Sequence, residues 1–399
     1  MKLLYFYRVP VPDPRADAVQ VVQTCAGIAR AGWNVTLHVE TASAPLSEVL
    51  GFYGAEPPGD GPGRLELTAI GRRWSWPFLA WRIRDLWPQV RGTTACLFVR
   101  EVRPYVPGLM ARARRWGVPS IYEAHNVSAR LVEEKRDQAA SKPDAAGLRR
   151  LSRKALARAR LEREILAAAD GLICTQRATL DALATLIRPG TPSILLGNAT
   201  RIPPWPASPH RDIDILYCGS LKPWKGVDTL VRALGMLAPH TLTIVGPGTP
   251  ADTERLRGIA GKEGAGGRLR LLPPVSPAGV WDLYARARVG AIPLPGQAYV
   301  EARDFTSPLK LFEMLAAGLP VVASHLPALE SYVADGREAL LVPADDPGAL
   351  ASALRRVLQD DALRARLSEA GRARAAEFTW DARGRAIASF ASRLGTRIT

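Results

Sequence analysis

The chain opens on a short apolar run, KLLYFY at residues 2–7. It then alternates such runs with longer segments whose apolar positions recur every three or four residues. Short apolar runs bounded by turn formers are the pattern of buried strands, and the longer periodic segments that of amphipathic helices. A helix is therefore expected from about Asp17 to Ala31, closed by Gly32 and followed by the strand NVTLHVE. TACLFVR, SIYEAHN and GLICTQ read as further strands. PGLMARARRWG and a long basic segment through Arg163 to Ala169 read as helices between them. Strands alternating with helices through short turns imply a parallel sheet with right-handed crossovers.

A proline-rich stretch, RPGTPSILLGNATRIPPWPASPH, interrupts this pattern and reads as an interdomain linker around one short strand. The alternation restarts with strand DILYCGS, helix VDTLVRALGML, strand TLTIVGPG and helix TERLRGIAG, and continues through RLRLL, VWDLYARA and VGAIPL. The expected fold is α/β, with two Rossmann-like parallel-sheet domains facing across a cleft. A ligand would sit where the carboxyl ends of both sets of strands meet.

One helix departs from the amphipathic rule. SPLKLFEMLAAGLPVVAS, residues 307–324, is almost wholly apolar, yet Glu313 stands inside it. Ser307 is the expected N-cap and Pro308 the first helical residue, while Gly318 and Pro320 stop the helix before a short buried strand. A capping-box glutamate would stand at position 310, where the chain has Lys310, so capping does not explain Glu313. A buried carboxylate is costly unless something meets it. A Lys or Arg from a neighbouring element would do so, and so would the hydroxyls of a ligand. The stretch alone leaves both open.

Composition narrows the classes. The 399 residues are 47% hydrophobic, enough for two cores. No apolar run reaches the ~18 residues of a membrane-spanning helix. The start, MKLLYFYRVPVPDP, lacks the length and cleavage site of a signal peptide. Cys25, Cys96, Cys174 and Cys218 are isolated, without metal or redox spacing. Together these features predict a cytoplasmic protein. The net charge of +15 asks for an anionic partner. No nucleic-acid-binding motif or stacking aromatics accompany it, so nucleic acid is not expected. Much of the arginine lies in segments such as LRRLSRKALARARLERE, which suit solvated helix faces with Glu–Arg pairs. RRWSWPFLAWRIRDLWPQVRG, with Trp74, Trp76, Trp81 and Trp87, suits either an ordinary packed helix or peripheral contact with an anionic membrane.

The candidate chemistry lies in the second half. In YCGSLKPWKGVDTL, Gly219 allows a tight turn after a strand, and Lys222 and Lys225 flank Pro223-Trp224. Basic side chains at the carboxyl end of a strand suit a phosphate. IVGPGTP lacks the third glycine of a dinucleotide fingerprint and carries Pro247 where the backbone should approach a pyrophosphate, which argues against a nicotinamide cofactor. The helix start at Thr306 to Lys310 offers unpaired N–H groups to an anion. The parts add up to a nucleoside diphosphate bearing a sugar, with phosphate at the helix start, hydroxyls at Glu313 and a lysine from the facing loop.

These same stretches resemble glycosyltransferase family 4, retaining enzymes of the GT-B fold. YCGSLKPWKGVDTL, LTIVGPG, RLLPPVSPAGVWDLYARARVGAIPL, SPLKLFEMLAAGLPVVAS and AEFTWDARGRA follow the family's order from about Ile215 to Ala386. The first half matches more loosely, through IYEAHN, EREILAAADGLICTQ and LLGNAT. The resemblance implies an acceptor-binding domain at 1–195, a nucleotide-sugar-binding domain at 196–378, and a final helix at 379–399 packing back on the first domain. Carried over, Glu313 resembles the second glutamate of the family's E-x7-E motif, which binds ribose, and Lys225 the lysine on the donor diphosphate. Gly219 and Ser220 fall in the donor loop. Pro274 and Val275 resemble the segment whose backbone meets the base, and Ser307, Pro308, Leu309 and Lys310 the donor-phosphate loop. His125 resembles the histidine that approaches the donor sugar.

The chain departs from the pattern in three places. The first motif glutamate would fall at Phe305, with Asp304 and Glu301 nearby as replacements. The arginine usually paired with the lysine would fall at Ser220, leaving Lys222 as its stand-in. PDPRADA replaces a glycine-rich turn after the first strand. The implied activity is retaining transfer from a UDP- or GDP-sugar-like donor to a glycan, lipid or small-metabolite acceptor, with no cofactor and no metal. The alternatives are a non-catalytic nucleotide-sugar-binding subunit and a GT-B sugar-nucleotide epimerase.

Overall fold

A computed structural model of the protein describes residues 1–72, 90, 94–139, 145–203, 211–296 and 299–395. The chain forms two compact units, Met1–Gly197 with Trp380–Thr399, and Asn198–Thr379. The tryptophan-rich stretch, apart from Arg72 and Val90, lies outside the described residues.

In the first unit the strands are β1 (Lys2–Val11), β2 (Asn34–Ala42), β3 (Arg64–Ala69), β4 (Ala95–Val99), β5 (Ser120–Ala124), β6 (Gly171–Cys174) and β7 (Ser193–Leu195). Among the described residues they make one parallel sheet in the order β3-β2-β1-β4-β5-β6-β7. The central strands are near-continuous apolar runs because helices cover both faces, and β4 and β5 are buried throughout. The two edges behave differently. β3 reads RLELTA, with Leu65 buried and the other five residues half-buried or exposed, so it lacks the apolar run of a central strand. β7 lies within the stretch that reads as a linker and is the sheet's last strand.

The final helix, Trp380–Gly395, belongs to this unit and packs on helix Ala16–Arg30. Glycines let the two backbones approach. A Cβ on Gly27 would stand 2.3 Å from the Trp380 carbonyl oxygen, and one on Gly384 would stand 2.3 Å from that of Gly27. Arg30 Nε reaches Asp381 Oδ1 at 2.6 Å beside the crossing.

The second unit contains β8 (Ile213–Cys218), β9 (Leu242–Val245), β10 (Leu269–Leu272), β11 (Ala287–Ile292), β12 (Val321–Ser324) and β13 (Leu340–Val342). They form a parallel sheet in the order β10-β9-β8-β11-β12-β13. Both sheets reverse their winding at the first strand, between β1 and β4 in one and between β8 and β11 in the other. Such reversals open a crevice at the carboxyl ends of the two strands. Helix Leu309–Ala316 buries Leu311, Phe312, Met314 and Leu315, and Gly318 ends it at φ 61°. No helix among the described residues is long and apolar enough to cross a membrane.

The helix crossing gives the first prediction. Gly27→Ala should destabilise the protein by about 1–3 kcal/mol, because its methyl meets backbone that cannot turn aside. Gly51→Ala, in helix Leu46–Tyr53 with nothing within 4 Å, should be neutral or stabilising. Urea melts of both variants test this, and equal midpoints would contradict the tight crossing.

Candidate functional site

In the second unit β8 ends at Cys218, and the chain turns at Gly219 with φ 146°. Gly219 N–H donates to the Val245 carbonyl at 2.8 Å, tying this turn to the end of β9. The next turn, Pro223–Lys225, carries the Lys225 ammonium 3.6 Å over the Trp224 ring. Gly226 follows at φ 71°, and a Cβ there would stand 1.6 Å from the Pro293 carbonyl oxygen. The loop after β8 is thus pressed onto the chain leaving β11, and only glycine permits it.

Helix Leu309–Ala316 brings two charged side chains to the same place. Lys310 Nζ lies 3.9 Å over the Tyr217 ring and 2.6 Å from where a Gly219 Cβ would stand. Burial, and next the charge of Lys225, pull the Lys310 ammonium down to about 7. One turn on, Glu313 Oε2 accepts a hydrogen bond from the buried Tyr284 hydroxyl at 3.0 Å. Among the described residues no Lys or Arg forms an ion pair with Glu313. Burial raises its carboxyl above the usual range, and the Tyr284 donor and the charges of Arg201 and Lys310 offset this only in part. The partner of Glu313 is a neutral phenol rather than the cation that a structural salt bridge requires.

The remaining expected residues fall as follows. The helix begins at Leu309 with Pro308 as its cap residue, one position later than the sequence pattern suggests. Ser307 does not cap it: its hydroxyl accepts from Asn198 N–H and from Tyr332 Oη, each at 3.0 Å, and its carbonyl accepts from the Asn198 amide. Leu309 and Phe305 are buried. Asp304 takes both donors of Arg303, at 2.8 and 2.7 Å. The side chain of Glu301 lies outside the described residues. Lys222 Nζ is 3.0 Å from Asp252 Oδ2, in the capping box of helix Pro250–Lys262, so the expected stand-in is already engaged. Ser220 supplies its carbonyl to the Tyr217 hydroxyl at 2.9 Å. Pro274 and Val275 lie exposed in the loop after β10.

In the first unit His125 follows β5 and borders a cavity of about 210 Å³, together with Tyr7, Asp17, Arg100, Glu101, Arg103 and Arg158. Its Nε2 lies 3.2 Å from Glu123 Oε1 without the alignment of a hydrogen bond. Burial, then the Arg100 charge, hold the imidazole below its ordinary value. Glu123 is fully buried and paired with Arg383, only 2% exposed, from the final helix. Burial opposes ionisation of Glu123, but Arg383 and His125 outweigh it and hold the carboxyl well below the usual range. Arg383 also donates to the carbonyls of Leu196, at 2.7 Å, and Gly197.

Residues 212–360 match the family described as "Glycosyl transferases group 1", and residues 18–199 the "Glycosyl transferase 4-like domain". The chain belongs to the group 1 glycosyltransferases. Among its relatives, this group 1 chain is 29% identical over 292 residues to a D-inositol 3-phosphate glycosyltransferase from Acidothermus cellulolyticus. It is 28% identical over 310 residues to one from Streptomyces avermitilis. These alignments cover 67% and 69% of this chain, and only 60% of each relative's own length. Two solved structures share its GT-B fold. One is sucrose-phosphate synthase from Thermosynechococcus elongatus, at TM-score 0.70 and 21% identity, covering 100% of both chains. The other is Anabaena HepE in complex with UDP and glucose, at TM-score 0.71 and 15% identity, covering 98% of this chain and 100% of that one.

Several residues at these places escape a reading of the sequence. Tyr284 and Tyr217 look like ordinary core aromatics, and Arg383 like one more surface arginine. Glu123 did carry a signal, a lone glutamate in an apolar strand, which is the same signal that singles out Glu313.

The Glu313 geometry fixes the sign of a pH effect. A carboxyl raised in the folded state costs nothing while both states are protonated. Stability falls as pH rises from the ordinary carboxylate range through the folded value, and the full loss remains above it. Glu313→Gln should therefore match the parent in urea melts near about pH 4 and hold or exceed it near about pH 8. A large loss at the higher pH would mean that a structural ion pair had been broken.

Proposed function

We propose that this chain is a retaining glycosyltransferase that moves a sugar from a nucleotide-sugar donor to an acceptor hydroxyl. The observation that carries this is the meeting of Lys225, Lys310, the Gly219 turn and Glu313 at the β8–β11 reversal. A diphosphate meets cations and helix N–H groups there, and a ribose diol can supply Glu313 with the donors that Tyr284 alone does not. UDP, the ligand named for the Anabaena HepE structures, is the first nucleotide to try.

In this mechanism the acceptor oxygen attacks the anomeric carbon from the face that the diphosphate leaves. The carbon–oxygen bond to the diphosphate breaks as the new glycosidic bond forms, and the departing phosphate takes the acceptor proton. The protein's task is to stabilise charge developing on the leaving diphosphate. Lys225 is the residue assigned to it, and His125 is assigned to the sugar.

The cavity beside His125 is the acceptor candidate. Its two carboxylates are already engaged: Asp17 accepts from the Tyr7 hydroxyl at 2.6 Å, and Glu101 from Arg8 N–H and Tyr105 Oη, each at 2.8 Å. Arg103 pairs with Glu101 at 3.5 Å, and with Arg100 and Arg158 also in the lining the three guanidinium groups outnumber the two carboxylates, which favours a small acceptor bearing negative charge. The inositol phosphate named for the relatives is of that kind.

Incubation with UDP- and GDP-sugars, with and without inositol 3-phosphate, tests the reading. Proton NMR of the product reports whether the anomeric configuration is kept. Lys225→Ala should lower kcat/KM by about 10²-fold or more with folding unchanged. Near-normal turnover in that variant would remove Lys225 from the mechanism. Conversion of donor without acceptor would favour an epimerase, and donor binding without any turnover a non-catalytic subunit.

A further inference from the structure

We infer that the Lys310 side chain is the second cation holding the donor diphosphate, in a space that Gly219 keeps open for it. The inference deepens the donor reading above and rests on it.

Three observations carry it. The ammonium lies against the turn after β8, 2.6 Å from where any Cβ at position 219 would stand, so every residue but glycine would displace it. It rests 3.9 Å over the Tyr217 ring, a contact that orients a cation without neutralising it, and no carboxylate pairs with it among the described residues. Lys222, the other cation expected for this role, is held by Asp252.

Lys310 therefore stands partly desolvated near a second ammonium, Lys225, with Cys218 and then Glu313 compensating only in part. Two close like charges are a standing cost in the free protein, and an anion bound beside them relieves it. A diphosphate, with more than one negative charge, matches two lysines better than a monophosphate does. The helix start contributes on the same side, since Lys310 is the second residue of helix Leu309–Ala316.

Calorimetric titration of the full chain with UDP, UMP and uridine tests this. Lys310→Met keeps the packed stem and removes the charge. It should weaken UDP binding about 10- to 100-fold and leave uridine binding unchanged. Gly219→Ala should produce a similar loss although the lysine remains, and the double variant should bind no worse than Lys310→Met alone. Thermal melts identify any variant that has unfolded. The parent supplies a further readout: between about pH 7 and 9 its UDP affinity should fall as Lys310 loses its proton, by at most tenfold per pH unit. Wild-type-like UDP affinity in Lys310→Met, or a fall with pH in the parent that persists unchanged in Lys310→Met, would overturn the role of Lys310. If the parent binds neither UDP nor GDP, the donor reading itself fails, and this inference with it.

Discussion

The second unit depends on a backbone crossing that only glycine allows. Gly219 and Gly246 close the ends of β8 and β9, and a Cβ on Gly246 would stand 2.1 Å from the Gly219 carbonyl oxygen. With φ of 146° and 150°, both lie where other residues are strained. The crossing sets the loop after β8 low against the sheet. Gly226 then brings the same loop against Pro293 at the end of β11.

The first unit is held by an interaction of another kind. Arg383 reaches from the last helix to Glu123 on β5, to Thr24 on the first helix, and to the carbonyls of Leu196 and Gly197, where the chain leaves the unit. One guanidinium therefore joins the central sheet, the first helix, the exit strand and the returning chain. A buried ion pair of this sort adds little net stability. It does fix which face Glu123 presents, and His125 stands 3.2 Å from that carboxylate. The glycines at Gly27 and Gly384 set how closely the helix bearing Arg383 can lie.

Much of the fold is legible in the sequence because its central strands are buried on both faces and read as unbroken apolar runs. KLLYFY, ACLFV and VVAS are of this type. The edge strands are harder to see. RLELTA is apolar at alternate positions, and SIL is three residues set among prolines and glycines, so each resembles a loop until its neighbour in the sheet is known. Of the candidate residues, Glu313 stands out as a carboxylate in an apolar helix, and Lys225 as a cation in the turn after a strand. Distant partners leave no such mark. That Lys222 belongs to Asp252, Asp304 to Arg303 and Glu313 to Tyr284 depends on side-chain direction, which spacing along the chain does not encode.

The two units treat buried charge in opposite ways, and the contrast locates the ligand chemistry. In the first, the buried Glu123 is surrounded by Arg383, Gln20, Tyr5 and His125, and its charged form is favoured. In the second, Glu313 and Lys310 each shift toward the neutral form, the carboxyl upward and the ammonium downward. A charge satisfied by the protein itself needs nothing more and serves architecture. A charge that the fold leaves disfavoured is a cost repeated in every unliganded molecule, and it is recovered only when something of opposite polarity arrives. Glu313 and Lys310 sit one helical turn apart on helix Leu309–Ala316, so one turn of backbone presents a group open to hydroxyl donors beside one open to an anion. The proposed nucleotide-sugar donor answers both demands at once, with hydroxyls for the carboxyl and phosphate for the ammonium.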